Sequence, residues 1–259
     1  MHPMLKRVLR IMANIAKLLL VVALCPALRV EAMMGCAVQP VVVENPAVIM
    51  PVPPGQLIVI GFMGGNVSAD NLAHREAVVA RELQQKNPKN VFAEVFANGD
   101  SHAALDTVQK LLDSNHDGCL SDNEKKAARI VIFGHSWGAS EAITLARRLN
   151  EQGIPVLLTV QVDSVEKLNE NDFSIPANVH EAINFYQTEG MLHGRSLITA
   201  EDPKQTAILG NFASSYKKTP VSVVGYSWYA RAFMHAHIEI ENDPVIWGKI
   251  EDLIQAKVL

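Results

Sequence analysis

The sequence lacks the features that define several classes of protein. Its three cysteines are too few for a disulfide scaffold, its 15 glycines follow no collagen-like period, and its hydrophobic fraction of 49% is too high for a disordered chain. Positive charge is also scarce, because residues 33–259 hold 18 Lys and Arg against 26 Asp and Glu. Phosphate backbones attract basic surfaces, so we expect no nucleic-acid partner.

The N-terminal apolar run is too short to cross a bilayer. The stretch between Lys17 and Arg29 has 11 residues, whereas a membrane-spanning helix needs about 20. Basic residues precede the apolar run Leu18–Cys25, and small residues surround Ala32, which is the pattern of a secretory signal peptide. We therefore predict a signal peptide over residues 1–32, a secreted or periplasmic mature chain, and no stable membrane span after cleavage.

Two cysteines remain after removal of this signal peptide. Acylation of Cys36 would make the chain a lipoprotein, but Arg29 and Glu31 interrupt the apolar run before it, so we regard this as the weaker interpretation. Cys36 falls in a lead-in rich in Pro and Val over residues 33–54, and nothing in the sequence brings it near Cys119. We predict no disulfide on which the fold depends.

From residue 55 onward, short apolar runs alternate with amphipathic helical patterns. Most of these runs are too apolar for strands exposed on one face. The alternation predicts an α/β domain over residues 55–259, with a mostly parallel central sheet and helices on both faces. The predicted strands are Gln56–Gly61, Val91–Ala97, Arg129–Phe133, Pro155–Val162, Val179–Tyr186 and Val221–Tyr226. The predicted helices are Asn71–Gln85, Ala103–Leu112, Ala139–Asn150 and Pro244–Val258.

The stretch Arg129–Leu149 contains the most informative motif. An apolar strand leads into the pentapeptide GHSWG, centred on Ser136, and then directly into an amphipathic helix. The flanking glycines relieve crowding at a sharp strand-to-helix turn, which would project the Ser136 hydroxyl at the carboxyl end of the strand. The N-terminus of the helix favours developing negative charge beside the serine. The motif predicts that Ser136 is a nucleophile.

A serine nucleophile requires a base and an acid that orients the base. Asp163 follows an apolar strand directly, which would place its carboxylate at the same sheet edge as Ser136. Glu189 and Asp202 are alternative acids, since both follow strand-like segments, and we favour Asp163. The choice of acid stays open at this point.

The histidines near the C-terminus supply the candidate base. His237 precedes Asp243-Pro244, which is typical of a helix N-cap and first helical residue, and a histidine in the loop before a terminal helix can fold back over the sheet edge. His235 competes with it, and we favour His237. The pair is also compatible with a zinc site, although the sequence identifies no further ligands.

The oxyanion hole should combine two backbone N–H groups. One belongs to Trp137, the residue after the serine, and the other to the glycine-rich loop Gly61–Gly65 after the first strand. We choose Phe62 as the second donor, with Met63 as the alternative. The loop does not have the G-x-G-x-x-G spacing of a dinucleotide site.

Together these motifs resemble the α/β-hydrolase superfamily, in its secreted esterase or lipase-like branch. The resemblance covers residues from Gln56 to the C-terminus and rests on the GHSWG motif and the chain order Ser136, Asp163, His237. It implies an eight-stranded sheet, acyl-enzyme chemistry on a small-molecule or lipid ester, and no cofactor for the hydrolysis itself. The sequence departs from the usual pattern of this superfamily in two ways. Ala139 stands after the motif where many lipase-like members have a second glycine, and the acid Asp163 follows the strand before the one that usually carries it.

A separate motif over residues 113–124 matches the 12-residue EF-hand loop. Oxygen-bearing side chains stand at its ligand positions, Gly118 stands at the turn, and Cys119 would offer its carbonyl. We predict a structural Ca²⁺ site in the connection that feeds the Ser136 strand. The predicted ligands are Asp113, Asn115, Asp117, Cys119, Ser121 and Glu124.

Two other functions are compatible with the same motifs. A non-catalytic calcium-binding surface or interaction protein would keep the hydrolase scaffold without a reactive serine. A peptidase would use the same three residues, Ser136, His237 and Asp163, but would cleave amides. A covalent serine probe and amide reporters separate these alternatives from an esterase.

Overall fold

The computed structural model of the chain describes residues 49–53, 55–168 and 170–259. These residues fall in one unit, Ala47–Leu259. Residues 1–48 and 54 lie outside the described residues. They include the predicted signal peptide, Cys36 and most of the lead-in over residues 33–54, so the predictions for these parts stay predictions.

The central sheet has six strands, and every neighbouring pair is parallel. Their order across the sheet is β2-β1-β3-β4-β6-β8, and the short strands β5 and β7 pair separately. The strands are β1 (Leu57–Phe62), β2 (Val91–Phe96), β3 (Ile130–His135), β4 (Val156–Val162), β5 (Ser174–Ile175), β6 (Val179–Gln187), β7 (Thr199–Ala200) and β8 (Ala207–Ser214).

Seven helices accompany the strands in the described part of the chain. Asp243 begins the last helix by accepting the N–H groups of Val245 and Ile246, and Pro244 occupies its first turn, as expected from the sequence. The helices are α1 (Arg75–Lys86), α2 (Ser101–Leu112), α3 (Asp122–Lys126), α4 (Trp137–Glu151), α5 (Trp228–Phe233), α6 (His235–Glu241) and α7 (Pro244–Gln255).

Alternate residues of the inner strands pack against opposite layers of helices. Val59 belongs to a buried cluster that includes Trp247 of α7, whereas its neighbour Ile60 belongs to a cluster that includes Ile143 of α4. Strand β1 is fully buried along its length, which explains why its sequence is apolar at every position rather than alternating. The sheet therefore lies between two helical layers, as predicted.

Three local expectations were wrong. Residues 221–226 form no strand, because the sheet edge beside β6 is occupied by β8 instead. Strand β8 (AILGNFAS) was missed because Gly210 and Asn211 interrupt its apolar residues and because the strand is only half-buried. The sheet has six strands in the described residues rather than the eight that the resemblance implies.

The fold is the α/β-hydrolase fold. It combines a parallel sheet covered on both faces with a serine at the strand-to-helix turn after β3. Within the described ranges, no helix is both long enough and apolar enough to cross a membrane.

Candidate active site

Ser136 lies at the sharp turn between β3 and α4. Its backbone has φ 56° and ψ −125°, a positive φ that is uncommon outside glycine and that marks a strained turn. A Cβ on Gly138 would lie 2.2 Å from the carbonyl oxygen of Phe62, so only glycine fits where α4 passes the end of β1. The backbone thus has the geometry that the GHSWG motif predicts.

The structure brings the three predicted catalytic residues into one hydrogen-bonded chain. Ser136 Oγ lies 2.8 Å from His237 Nε2, and His237 Nδ1 lies 2.6 Å from Asp163 Oδ2. The Nδ1–H donates to the carboxylate, which leaves the Nε2 lone pair to accept the serine proton. All three residues are buried. Ser136 and Asp163 follow β3 and β4 directly, whereas His237 lies in α6 rather than in the expected loop.

The Asp163 carboxylate is held by donors that the sequence did not identify. Its Oδ1 accepts the backbone N–H groups of Gln187 at 3.1 Å and Gly194 at 2.7 Å, and its Oδ2 accepts Nε2–H of Gln187 at 2.7 Å. Burial alone would raise the pKa of Asp163, but the hydrogen bonds from His237 and Gln187 hold it below its ordinary value. The acid is therefore ionised and fixed in orientation.

The alternative acids and base lie elsewhere. Glu189 accepts the N–H of Tyr216, and Asp202 accepts the N–H of Lys204 at 2.9 Å in a surface turn. The His235 side chain is 55% exposed. Because His237 is paired with Ser136 and Asp163, the two histidines do not form the zinc pair that their spacing allowed.

A cavity of about 480 Å³ opens beside Ser136 and His237. Its volume lies in the range of small-molecule sites. Residues of α5, α6 and the segments beside them form one wall. The apolar lining includes Trp137, Val165, Leu192, Tyr226, Met234 and Ile238.

The prediction of Phe62 as an oxyanion donor is not supported by its position. Phe62 still belongs to β1, is fully buried and does not line the cavity. The N–H of the alternative, Met63, donates to the Phe96 carbonyl at 2.9 Å. The residues of the loop that border the cavity are Gly64 and Gly65, because β1 extends further than its sequence indicated. Trp137 also borders the cavity and begins α4, so its N–H has no acceptor within the helix.

His135, the residue before the nucleophile, contacts the base directly. The two imidazole rings have centroids 4.5 Å apart, and His135 Nε2 donates to the His237 carbonyl at 3.2 Å. His135 is buried, which lowers its pKa to about 4, so the ring is neutral at physiological pH. Its other nitrogen, Nδ1, lies 3.7 Å from Glu241 Oε2 and 3.9 Å from Glu76 Oε1.

Glu76, Glu241 and His74 form a buried ionisable group behind this ring. Burial, reinforced by the charge of Glu241, raises the pKa of Glu76 to about 8. His74 is hydrogen-bonded to Glu241, which raises the pKa of the imidazole. The sequence gave no signal for this group, because Glu241 is more than 160 residues from His74 and Glu76 and meets them only in the fold.

The EF-hand-like loop connects α2 to α3 on the surface. Asp113 accepts the N–H groups of Asp117 and Gly118, and Asp117 accepts the N–H of Cys119 at 2.8 Å. Gly118 has φ +78°, which permits the sharp turn. Glu124 lies at the first turn of α3 and forms a capping box with Ser121.

Comparisons with known proteins return structural neighbours alone, since no family model and no curated protein matches the chain. A putative YdeN-like hydrolase from Pectobacterium atrosepticum is 14% identical, with 79% of this chain and 94% of that chain covered and a TM-score of 0.37. A dienelactone hydrolase-like promiscuous phosphotriesterase from metagenomic libraries is 14% identical, with 80% and 88% covered and a TM-score of 0.34. The RedJ thioesterase of the prodiginine pathway in Streptomyces coelicolor is 18% identical, with 49% and 44% covered and a TM-score of 0.28, so this chain spans less than half of its length. We therefore base the function on the geometry of the site.

Proposed function

We propose that the chain is a serine hydrolase that cleaves carboxylic esters through an acyl-enzyme intermediate. The observation that carries the proposal is the continuous hydrogen-bonded chain from Asp163 through His237 to Ser136, beside an apolar cavity. Few structural roles require a serine at a strained φ, an imidazole within hydrogen-bond distance of its hydroxyl and a buried carboxylate in this order.

Each residue has a defined role in the proposed reaction. Ser136 Oγ attacks the ester carbonyl carbon while its proton moves to His237 Nε2. Asp163 holds the Nδ1–H and stabilises the imidazolium without taking its proton. Collapse of the tetrahedral intermediate breaks the bond to the leaving alcohol, which receives the proton from His237. Water then attacks the acyl-serine by the same route, releasing the acid and restoring the serine.

We assign the oxyanion hole to the N–H groups of Trp137 and Gly65. Trp137 supplies a donor at the N-terminus of α4, where the helix dipole also favours negative charge. Gly65 takes the place of Phe62, because it borders the cavity and its N–H has no acceptor among the described residues. The positive φ of Gly65, +55°, turns the loop backbone at this point.

The cavity favours an ester with an apolar acyl or alcohol group of modest size. Val165, Leu192 and Met234 offer apolar contacts, and Tyr226 and Trp137 provide flat surfaces. These features support a small-molecule or lipid ester as substrate. Ester and amide reporters with the same acyl group test this choice, since faster turnover of the amide would indicate a peptidase instead.

A fluorophosphonate probe tests the nucleophile. We expect covalent labelling at Ser136, located by peptide mass spectrometry, and loss of labelling in both Ser136→Ala and His237→Ala. His235→Ala is the matched control and should label like wild type, because its side chain lies outside the hydrogen-bonded chain. No labelling of folded wild-type chain with Ca²⁺ present would favour the non-catalytic calcium-binding protein.

We also propose Ca²⁺ binding by the loop over residues 113–124 and export of the chain. The support for calcium is a set of oxygen donors, the type of ligand that Ca²⁺ prefers, on a backbone turned by Gly118. The support for export is the composition of residues 1–32. N-terminal sequencing of the exported chain tests the latter, with Met33 expected as the first residue.

A further inference from the structure

A group of potential metal ligands lies beside the catalytic residues and has no part in the proposed ester cleavage. His74, Glu76 and Glu241 each offer a ligand atom, and these atoms lie within 4.8 Å of one another. The two glutamates are buried, and the side chain of His74 is 15% exposed. His74 and Glu76 come from the start of α1, and Glu241 comes from the end of α6.

The polar atoms of this group are incompletely paired. Glu76 is fully buried, and while its Oε1 accepts the Gly64 N–H at 3.2 Å, its Oε2 has no hydrogen-bond partner among the described residues. Buried carboxylate oxygens are nearly always paired. His135 Nδ1 lies 3.7 Å from Glu241 Oε2 and 3.9 Å from Glu76 Oε1, which is too far for a short hydrogen bond to either glutamate. A cation held between the two glutamates would satisfy the unpaired Glu76 oxygen.

We propose that His74, Glu76 and Glu241 bind a divalent transition-metal ion, with Zn²⁺ as the expected occupant. The donor set of one imidazole and two carboxylates suits zinc, whereas Ca²⁺ and Mg²⁺ prefer oxygen ligands throughout. Zn–N and Zn–O bonds of about 2.0–2.2 Å place ligand atoms up to about 4.4 Å apart. Ion binding therefore requires His74 and Glu241, which are now hydrogen-bonded to each other, to separate, while the most distant ligand atoms of the group, within 4.8 Å, move slightly closer. The ion's two positive charges match the two glutamates in their ionised forms, in which they would bind it.

The group is open to ligand entry from the cavity. His74 and Glu241 both line the cavity that holds Ser136. Three protein ligands leave a coordination position for water or a substrate oxygen. This group is distinct from the predicted Ca²⁺ site over residues 113–124, which lies between α2 and α3 and shares no residue with it.

The ion would act on the catalytic base through the fold. Glu241 follows His237 by one helical turn on α6, and Glu76 lies in the first turn of α1. A shared ion therefore clamps the helix that carries the base to α1. The Gly64 N–H donates to Glu76, and a Cβ on Gly64 would lie 3.2 Å from Ser136 Cβ. Glu76 therefore also helps to hold the glycine-rich loop after β1 in its position next to Ser136. These ligands are positioning residues, and they take no part in proton transfer.

Metal content of the purified full chain tests the proposal. We expect one Zn²⁺ per chain after incubation with zinc in excess Ca²⁺ and dialysis, measured by elemental mass spectrometry. Binding should weaken at least about tenfold in His74→Ala and in Glu76→Gln, because each loses one ligand. Glu82→Gln is the matched control, since Glu82 lies on the outer face of the same helix, 3.6 Å from Lys86, and should bind zinc like wild type.

A spectroscopic measurement covers the case in which a variant does not fold. Co²⁺ added to metal-free wild-type chain should give the visible absorption of a low-coordinate nitrogen and oxygen site, and zinc should displace it. The proposal is overturned if the folded wild-type chain retains no zinc and shows no such absorption. It is also overturned if Glu76→Gln and Glu82→Gln retain equal amounts of zinc. Both results are independent of fluorophosphonate labelling at Ser136, so failure here leaves the proposed esterase intact.

Discussion

The N–H of Gly194 donates to Asp163 Oδ1 over 2.7 Å, and this contact leaves no room for a side chain at residue 194. A Cβ on Gly194 would lie 2.2 Å from the backbone carbonyl carbon of Asp163. We expect Gly194→Ala to push Asp163 away from His237. Overpacking of this kind costs about 1–3 kcal/mol of unfolding free energy, and a misplaced acid lowers kcat by about 100-fold.

Ester turnover and urea unfolding of the same samples check this prediction. Gly225→Ala is the matched control, because a Cβ at residue 225 meets no atom within 4 Å. Wild-type kcat in a folded Gly194→Ala variant would show that the Gly194 contact does not position the acid.

Asp163→Asn should abolish most activity while leaving the fold in place. Two backbone N–H groups, those of Gln187 and Gly194, require an oxygen at the Oδ1 position, so the amide nitrogen of asparagine would face His237. It would then donate to Nδ1 and force the proton onto Nε2, where no lone pair remains for Ser136. The expected loss in kcat is about 10⁴-fold.

Glu189→Gln provides the comparison, because Glu189 follows the next strand and was the alternative acid. Its carboxylate contacts Ser215 and Tyr216 rather than His237, so we expect nearly wild-type turnover. If Glu189→Gln were the more damaging change, the acid would be misassigned.

The same carboxylate makes stability depend on pH in acid. The pKa of Asp163 lies below its ordinary value of 3.8, so the unfolded chain binds more protons between the two values. The contribution of Asp163 to the unfolding free energy is complete at pH values above 3.8, its ordinary pKa. It is lost as the pH falls through the lower pKa of the folded state. The difference between wild type and Asp163→Asn in urea unfolding should be constant above about pH 5 and should shrink below about pH 4. A difference that grows toward low pH would contradict this sign.

The parts of the site that the sequence predicted share a physical cause. Parallel strands bring their carboxyl ends to one edge, so residues directly after apolar strands, such as Ser136 and Asp163, are brought together by topology alone. His237 was found because a capped terminal helix follows it. Functional side chains next to a strand end or a helix cap can therefore be predicted from sequence patterns.

The parts that were missed depend on contacts between distant segments. Phe62, the predicted oxyanion donor, does not line the cavity, because β1 extends one residue beyond its predicted end and includes it. Glu76 and Glu241 show no pattern in sequence, since a carboxylate on a helix is usually solvated. Their burial against His135 arises only when α1 and α6 pack at the same end of the sheet.

Calcium should stabilise the chain through Glu124. The carboxylate accepts hydrogen bonds from Ser114 and Ser121, which lower its pKa to about 2, so it is charged at any pH where calcium binding would be measured. Glu124 stands at the last position of the loop, where an EF-hand has a glutamate that binds Ca²⁺ through both carboxylate oxygens. Glu124→Gln removes this carboxylate, so the variant should lose the rise in Tm that Ca²⁺ produces. Because the loop is a single site, we expect a Kd of about 10⁻⁴–10⁻³ M by titration calorimetry.

Asp122→Asn separates calcium coordination from the general loss of negative charge in this region. Asp122 is the first residue of α3 and occupies a position of the loop motif that supplies no ligand, so this variant removes one charge and should keep the calcium response. An equal loss of response in Asp122→Asn and Glu124→Gln would mean that Ca²⁺ acts by screening the acidic surface. The loop would then be a solvated turn that joins α2 to the strand of the nucleophile, and its hydrogen bonds to Asp113 would be sufficient to hold it.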